Sequence, residues 1–151
     1  MSSTTNVTRY LAKKKIPFQE HHYPADPQLS ASEIAQLVGL DPRRVFKTLV
    51  TVGKSGEHYV FVIPAPANLD LKKAAQAVGE KWVEMVPQKE LLPLTGYVHG
   101  GCSPLGMKKR FLTHFDESAL SFPTIIFSAG QVGAQVELDP RLLDFPTAAL
   151  A

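Results

Sequence analysis

Between Val45 and Ile63 the sequence can hardly avoid an antiparallel hairpin. Val45–Val52 and His58–Ile63 are rich in β-branched and aromatic residues, and Gly53-Lys54-Ser55-Gly56 supplies the turn between them. The elements around it follow from their own start and stop signals. A first helix is predicted from about Asn6 to Lys15, with Val7, Tyr10 and Leu11 at helical spacing, ended by Ile16–Pro17. Phe18–Tyr23 reads as a strand. Ser30 opens a second helix, with Glu33 completing a capping box and Gly39 closing it. Asp41–Pro42 leaves room only for a short turn before the hairpin. Asp70 caps a third helix through Val78, and Gly79 ends it. Shorter strands are expected around Trp82–Met85, Gly96–His99, Phe111–Phe115 and Thr124–Phe127. A turn at Gly130–Gly133 leads into Ala134–Leu138, and Asp139–Pro140 opens a last short helix.

Strands interrupted irregularly by helices, without βαβ alternation, predict an α+β fold. The expected architecture is a single domain over residues 1–151 with a mixed, strongly curved, barrel-like sheet surrounded by helices. A chain of 151 residues suffices for one core, and 44% apolar with 20% charged residues is ordinary for a globular domain. No apolar run reaches the roughly 18–20 residues that cross a bilayer. The stretch MSSTTNVTRYLAKKK lacks the basic cluster and apolar core of a secretory leader. One cysteine, Cys102, excludes an internal disulfide and fits a reducing compartment, so the cytoplasm is the expected location. The net charge of +2 is distributed partly as short clusters: Lys13–Lys15, Arg43–Arg44, Lys72–Lys73 and Lys108–Arg110. Such clusters suit a phosphate backbone, and equally they suit solvated loops and helix ends.

Lys47 is the oddest residue of the hairpin. It lies in a strand whose two faces, Val45/Lys47/Leu49 and Phe46/Thr48/Val50, are mostly apolar. An ammonium there is costly unless it is paired, neutralised or facing a cleft. In a cleft it can hold a phosphate or polarise an ester carbonyl; the alternative is a lysine snorkelling over a sheet edge. Gly100-Gly101-Cys102-Ser103-Pro104-Leu105-Gly106 allows a close backbone approach to a ligand, or is a plain tight turn. It has neither dinucleotide-fingerprint nor phosphate-loop spacing. Cys102 reads as a packed thiol rather than a nucleophile. The five histidines show no zinc spacing, no Gly-x-Ser-x-Gly elbow is present, and neither metal nor cofactor is expected. Ser128, at the end of an apolar strand, offers a hydroxyl beside the small pair Ala129–Gly130.

Taken together, Val45–Leu49, Leu69–Ala75 and Thr95–Gly106 resemble the YbaK/EbsC family, related to the editing domain inserted in bacterial prolyl-tRNA synthetases. The resemblance runs from about Val7 to Leu143 and includes a Gly-x-x-x-Pro signature, Gly100 to Pro104. It implies the YbaK-type fold and a free-standing, trans-editing aminoacyl-tRNA deacylase, acting chiefly on cysteine attached to proline tRNA. It carries the activity-bearing lysine onto Lys47, and substrate contacts onto Tyr23, Gly100, Gly101 and Ser128. No protein nucleophile is implied: the substrate cysteine thiol attacks its own ester, gaining effective molarity, and leaves as a thiolactone. The implied partners are the acceptor end of aminoacyl-tRNA and a prolyl-tRNA synthetase in a ternary complex, with no membrane and no DNA. Two departures stand out. The Tyr23–Lys47 segment is about two residues shorter than the family pattern, with Leu29-Ser30-Ala31-Ser32 where an aromatic–glycine pair is usual. Gln135, a further candidate substrate contact, replaces an expected aspartate. The alternatives are a deacylase for another small amino acid, such as alanine on proline tRNA, and a non-catalytic binding module for tRNA or a small ligand.

Overall fold

The computed structural model describes residues 5–26 and 28–151. The first four residues of the stretch read for a leader lie outside them. Twelve elements are named in chain order: α1 (Asn6–Lys13), β1 (Gln19–His22), α2 (Ala31–Leu37), β2 (Phe46–Gly53), β3 (His58–Pro64), α3 (Leu71–Val78), β4 (Val83–Met85), α4 (Leu91–Thr95), β5 (Leu112–Asp116), β6 (Ile125–Gln131), β7 (Ala134–Leu138) and β8 (Thr147–Ala148).

The predicted hairpin is the centre of the larger sheet. β2 and β3 pair antiparallel from Phe46 opposite Pro64 to Val52 opposite His58. β4 adds antiparallel to β2, while β5 adds parallel to β3 and β8 parallel to β5, giving the order β4-β2-β3-β5-β8. β1, β7 and β6 form a second, three-stranded antiparallel sheet. The single barrel-like sheet expected from the sequence therefore does not close. β6 pairs with β7, and an isolated parallel bridge between Ile126 and Val45, just before β2, links it to the chain entering the larger sheet.

β3 explains why the fold has helices on more than one side. Val60, Phe61, Val62 and Ile63 are all fully buried, so both strand faces must be covered. Val60 and Val62 join Val7 and Leu11 of α1 and Phe127 of β6 in one apolar layer. Phe61 and Ile63 meet Ala74 and Ala75 of α3 in another. Each large side chain buried this way contributes about 1.5–3 kcal/mol. The alanines bring the helix close. α3 itself has the predicted signals, because the Asp70 carboxylate accepts from the backbone N–H groups of Lys72 and Lys73 and Gly79 takes φ +74°.

The strand expected at Gly96–His99 is absent. Leu91–Thr95 forms a short helix instead, and Gly96 ends it at φ +84°. Pro93 is tolerated in the first turn, where its missing N–H costs nothing. Val98 and His99 then enter a turn closed by the Gly101 N–H on the Val98 carbonyl, 3.0 Å.

Candidate functional site

A cavity of about 570 Å³ is lined by residues from both sheets. Phe46 through Val50 of β2 run along one wall. Gln28, Leu29, Ser30 and Ile34 form another, held by the predicted capping box: the Glu33 N–H donates to Ser30 Oγ at 3.1 Å, and the Ser30 N–H to Glu33 Oε1 at 3.0 Å. Leu29 and Ser30 of the shortened segment singled out in the sequence thus line the cavity. Tyr23 follows β1, and its backbone N–H is held by the Gly133 carbonyl at 3.0 Å. Ser128 of β6 and Gln135 of β7 stand directly opposite each other across a ladder that slips between Ser128 and Gln131. His99, Gly100 and Cys102 close the remaining side.

Of the residues predicted from the sequence, Tyr23, Lys47, Gly100, Ser128 and Gln135 all border this one cavity. Gly101 does not. It is buried, and a β-carbon there would meet Val132 N at 3.0 Å and Gln131 Cα at 3.1 Å. Gly101 thus lets the loop lie against the β6–β7 turn, on whose strands Ser128 and Gln135 sit. Gly101→Ala is expected to cost about 1–3 kcal/mol, since backbone and not a flexible side chain must give way. Urea unfolding measures it, and an unchanged midpoint would show that the turn yields freely.

Among the described residues, no carboxylate lines the cavity. Lys47 is half-buried, makes no ion pair among the described residues, and burial pushes its ammonium below the ordinary lysine pKa. Burial pushes the Tyr23 phenol up, against a smaller opposing effect of the Gly133 backbone. Cys102 is only 9% exposed, and burial pushes its thiol up to about 12. It is protonated at neutral pH and not an activated nucleophile. Among the described residues, no group of three His, Cys, Asp or Glu side chains converges to hold a metal ion.

Two polar atoms around the cavity have no partner among the described residues: Thr48 Oγ1 and Gln135 Oε1, the latter on a side chain only 4% exposed. A buried orphan of this kind costs about 1–3 kcal/mol, and native structures keep few of them away from working sites. Thr48 was not among the residues singled out from the sequence. Its signal was available, as a hydroxyl alternating with buried Phe46 and Val50 on one strand face.

Among the described residues, the cavity lining thus combines an unpaired ammonium with unsatisfied neutral polar atoms, a lining suited to a polar or anionic group. Residues 25–145 match the aminoacyl-tRNA editing domain. The provisionally named Cys-tRNA(Pro)/Cys-tRNA(Cys) deacylase EbsC of Enterococcus faecalis is 46% identical over 140 residues, covering 92% of this chain and 85% of that protein. A proline–tRNA ligase of Pelobacter propionicus is 24% identical over 102 residues, 68% of this chain and 18% of the ligase. Among solved structures, a protein provisionally named as a trans-editing enzyme for prolyl-tRNA synthetase superposes with TM-score 0.84 at 28% identity, covering 99% of this chain and 98% of that one. A hypothetical protein superposes at 0.88 with 23% identity, covering 97% and 99%, and shares the fold. The chain belongs to the aminoacyl-tRNA editing domain family and is an aminoacyl-tRNA deacylase.

Proposed function

We propose that this deacylase acts free-standing on cysteine attached to proline tRNA, and that the substrate supplies its own nucleophile. The likeness to EbsC, with 46% identity across most of both chains, carries the choice of substrate. The chemistry of the cavity supports the mechanism. Burial pushes its one thiol up to about 12, which argues against that thiol as the nucleophile. A cysteinyl ester brings a thiol that is already tethered to the carbonyl it attacks. The sulfur–carbon bond forms, the bond from the carbonyl carbon to the ribose oxygen breaks, and the thiol proton passes to that oxygen. The products are cysteine thiolactone and free tRNA. Lys47 stabilises the developing oxyanion. Tyr23, Ser128, Gln135 and the Gly100 backbone orient the aminoacyl group and terminal ribose. Gln135, uncharged, orients by hydrogen bonding alone. A cavity of this size leaves the tRNA body outside, so a ternary complex with prolyl-tRNA synthetase would supply the anticodon recognition.

The test compares cysteinyl- and alanyl-tRNA(Pro). Rapid loss of cysteine, with thiolactone trapped in the product, and undiminished turnover by Cys102→Ala are the expected results. Hydrolysis of alanyl-tRNA at an equal rate would overturn the substrate-thiol mechanism, because alanine has none. Loss of activity in a folded Cys102→Ala protein would return the nucleophile to the enzyme.

A further inference from the structure

Four basic clusters are visible in the sequence, and the structure separates them. Arg43 is engaged by Asp41 at 2.8 Å and Arg44 by Glu137 at 3.0 Å. Lys73 of α3 donates to the Ala151 carbonyl at 3.1 Å, and its helix packs over the Phe61/Ile63 layer. α1 touches the glycine loop through Asn6, whose Nδ2 lies 3.5 Å from the Gly106 carbonyl. Its lysines lie at the opposite end of the helix, about 10 Å further along the axis. Lys108, Lys109 and Arg110 share with Lys13, Lys15 and Lys72 an exposed side chain that has no hydrogen-bonding or ion-pairing partner among the described residues. They differ from them in their place beside the cavity rim.

Their placement is fixed by the loop that also forms the cavity rim. The Lys108 N–H donates to the Thr95 carbonyl at 2.9 Å, so the segment 95–108 leaves and returns at one point. The interior of that loop is pinned by the buried Tyr97 hydroxyl on the Leu105 carbonyl, 2.6 Å. A β-carbon on Gly96 would lie 3.5 Å from Lys108 Cβ, which puts the basic run beside Gly96. His99 and Gly100, at the rim, are three and four residues further on, at most about 14 Å even for a fully extended chain. Three unpaired cations therefore stand a few nucleotides' length from where an aminoacyl ester enters.

We infer that Lys108, Lys109 and Arg110 form the docking surface for the phosphates of the tRNA acceptor end, next to the terminal nucleoside whose ester occupies the cavity. This rests on the proposed function for the placement of the ester. A flexible run of cations reads charge and not sequence, so it gives affinity for the acceptor end without selecting among tRNAs.

The experiment uses the triple variant Lys108→Gln/Lys109→Gln/Arg110→Gln, with Lys72→Gln/Lys73→Gln as a two-charge control for cations lost elsewhere on the surface. Binding of uncharged tRNA(Pro) is followed by gel shift across a salt series, and hydrolysis is followed on cysteinyl-tRNA(Pro) and on the short ester 3′-cysteinyl-adenosine. The triple variant is expected to weaken tRNA binding at least tenfold. The slope of log affinity against log salt should become shallower by about 2–3, at roughly 0.7–0.9 per phosphate contact. The ratio of kcat/KM on tRNA to that on the short ester should fall at least tenfold, with the control near wild type. Unchanged binding and slope, or an equal loss in the control, would overturn the inference. If wild type hydrolyses neither ester, the proposed reaction fails, and the gel shift still decides the docking surface.

Discussion

Replacing Lys47 with alanine is expected to lower kcat/KM on cysteinyl-tRNA by about 100- to 1000-fold, the usual effect of removing one group that stabilises a developing oxyanion. The same change should leave the melting temperature unchanged or raise it. A half-buried ammonium without a carboxylate partner costs the fold free energy, and alanine removes the charge. The pH dependence separates this account from simple damage. Burial places the folded-state pKa of Lys47 below its unfolded value, so between the two the unfolded chain binds more protons. Stability from this residue accordingly rises as pH increases through that window. Activity does the opposite, falling there as the charged form is lost. A melting series and a kcat/KM profile for wild type and Lys47→Ala would show the two trends crossing in one protein and absent from the other. A variant that loses activity and melting temperature together would make Lys47 a structural residue.

Much of the frame was legible because it rests on local chemistry. Asp70 and Gly79 bracket α3, Ser30 and Glu33 build the capping box at the cavity wall, and the β-branched hairpin lies at the centre of its sheet. These signals act over three or four residues and do not depend on what packs above them. Gly96–His99 reads as a strand for the same local reasons, with Tyr97 and Val98 in sequence, but the fold provides no partner ladder, and the preceding residues coil into α4. β8 is two residues long and exists only because β5 leaves an edge open. Whether the strands form one sheet or two is likewise set by long-range pairing, and the Val45–Ile126 bridge has no sequence signature.

The candidate site divides along the same line. Lys47 was conspicuous as a charge in an apolar strand. That Ser128 faces Gln135 follows from the register of β6 against β7, including a slip that alternation cannot reveal. Gly101 looked like its neighbour Gly100 in the sequence. Only the approach of Gln131 and Val132 distinguishes a packing glycine from one at the rim. Thr48 was legible as a hydroxyl between Phe46 and Val50 on one strand face, and its buried, unpartnered oxygen gives that pattern its meaning.

Glu137→Ala is expected to destabilise the protein by about 2–4 kcal/mol, because its carboxylate joins three separate parts of the chain. It accepts from His21 Nε2 of β1 at 2.8 Å, from Thr124 Oγ1 just before β6 at 2.6 Å, and from Arg44 Nη2 at 3.0 Å. Arg44 also bonds the Thr124 hydroxyl and its carbonyl, the latter at 3.3 Å. Arg44 and Glu137 are 27% and 17% exposed, so removing the carboxylate leaves a mostly covered guanidinium without its anion. The melting temperature should fall by about 5–15 °C for a domain of this size. Burial tends to push the Glu137 carboxyl up, but the hydrogen bonds from Thr124 and His21 and the charge of Arg44 prevail and hold it below the ordinary glutamate value. Its contribution is therefore complete above the unfolded pKa, about 4.3, and is lost as pH falls through the lower folded value. Glu137→Gln should flatten the stability curve in that acid range, while wild type loses stability there. The loss reaches the cavity as well. Tyr23 directly follows the strand that His21 holds, and Arg44 precedes Lys47 by three residues. Loosening both should raise KM for cysteinyl-tRNA more than it lowers kcat. A Glu137→Ala protein that melts with wild type would mean that backbone pairing alone holds β1 and the entry to β2 in place.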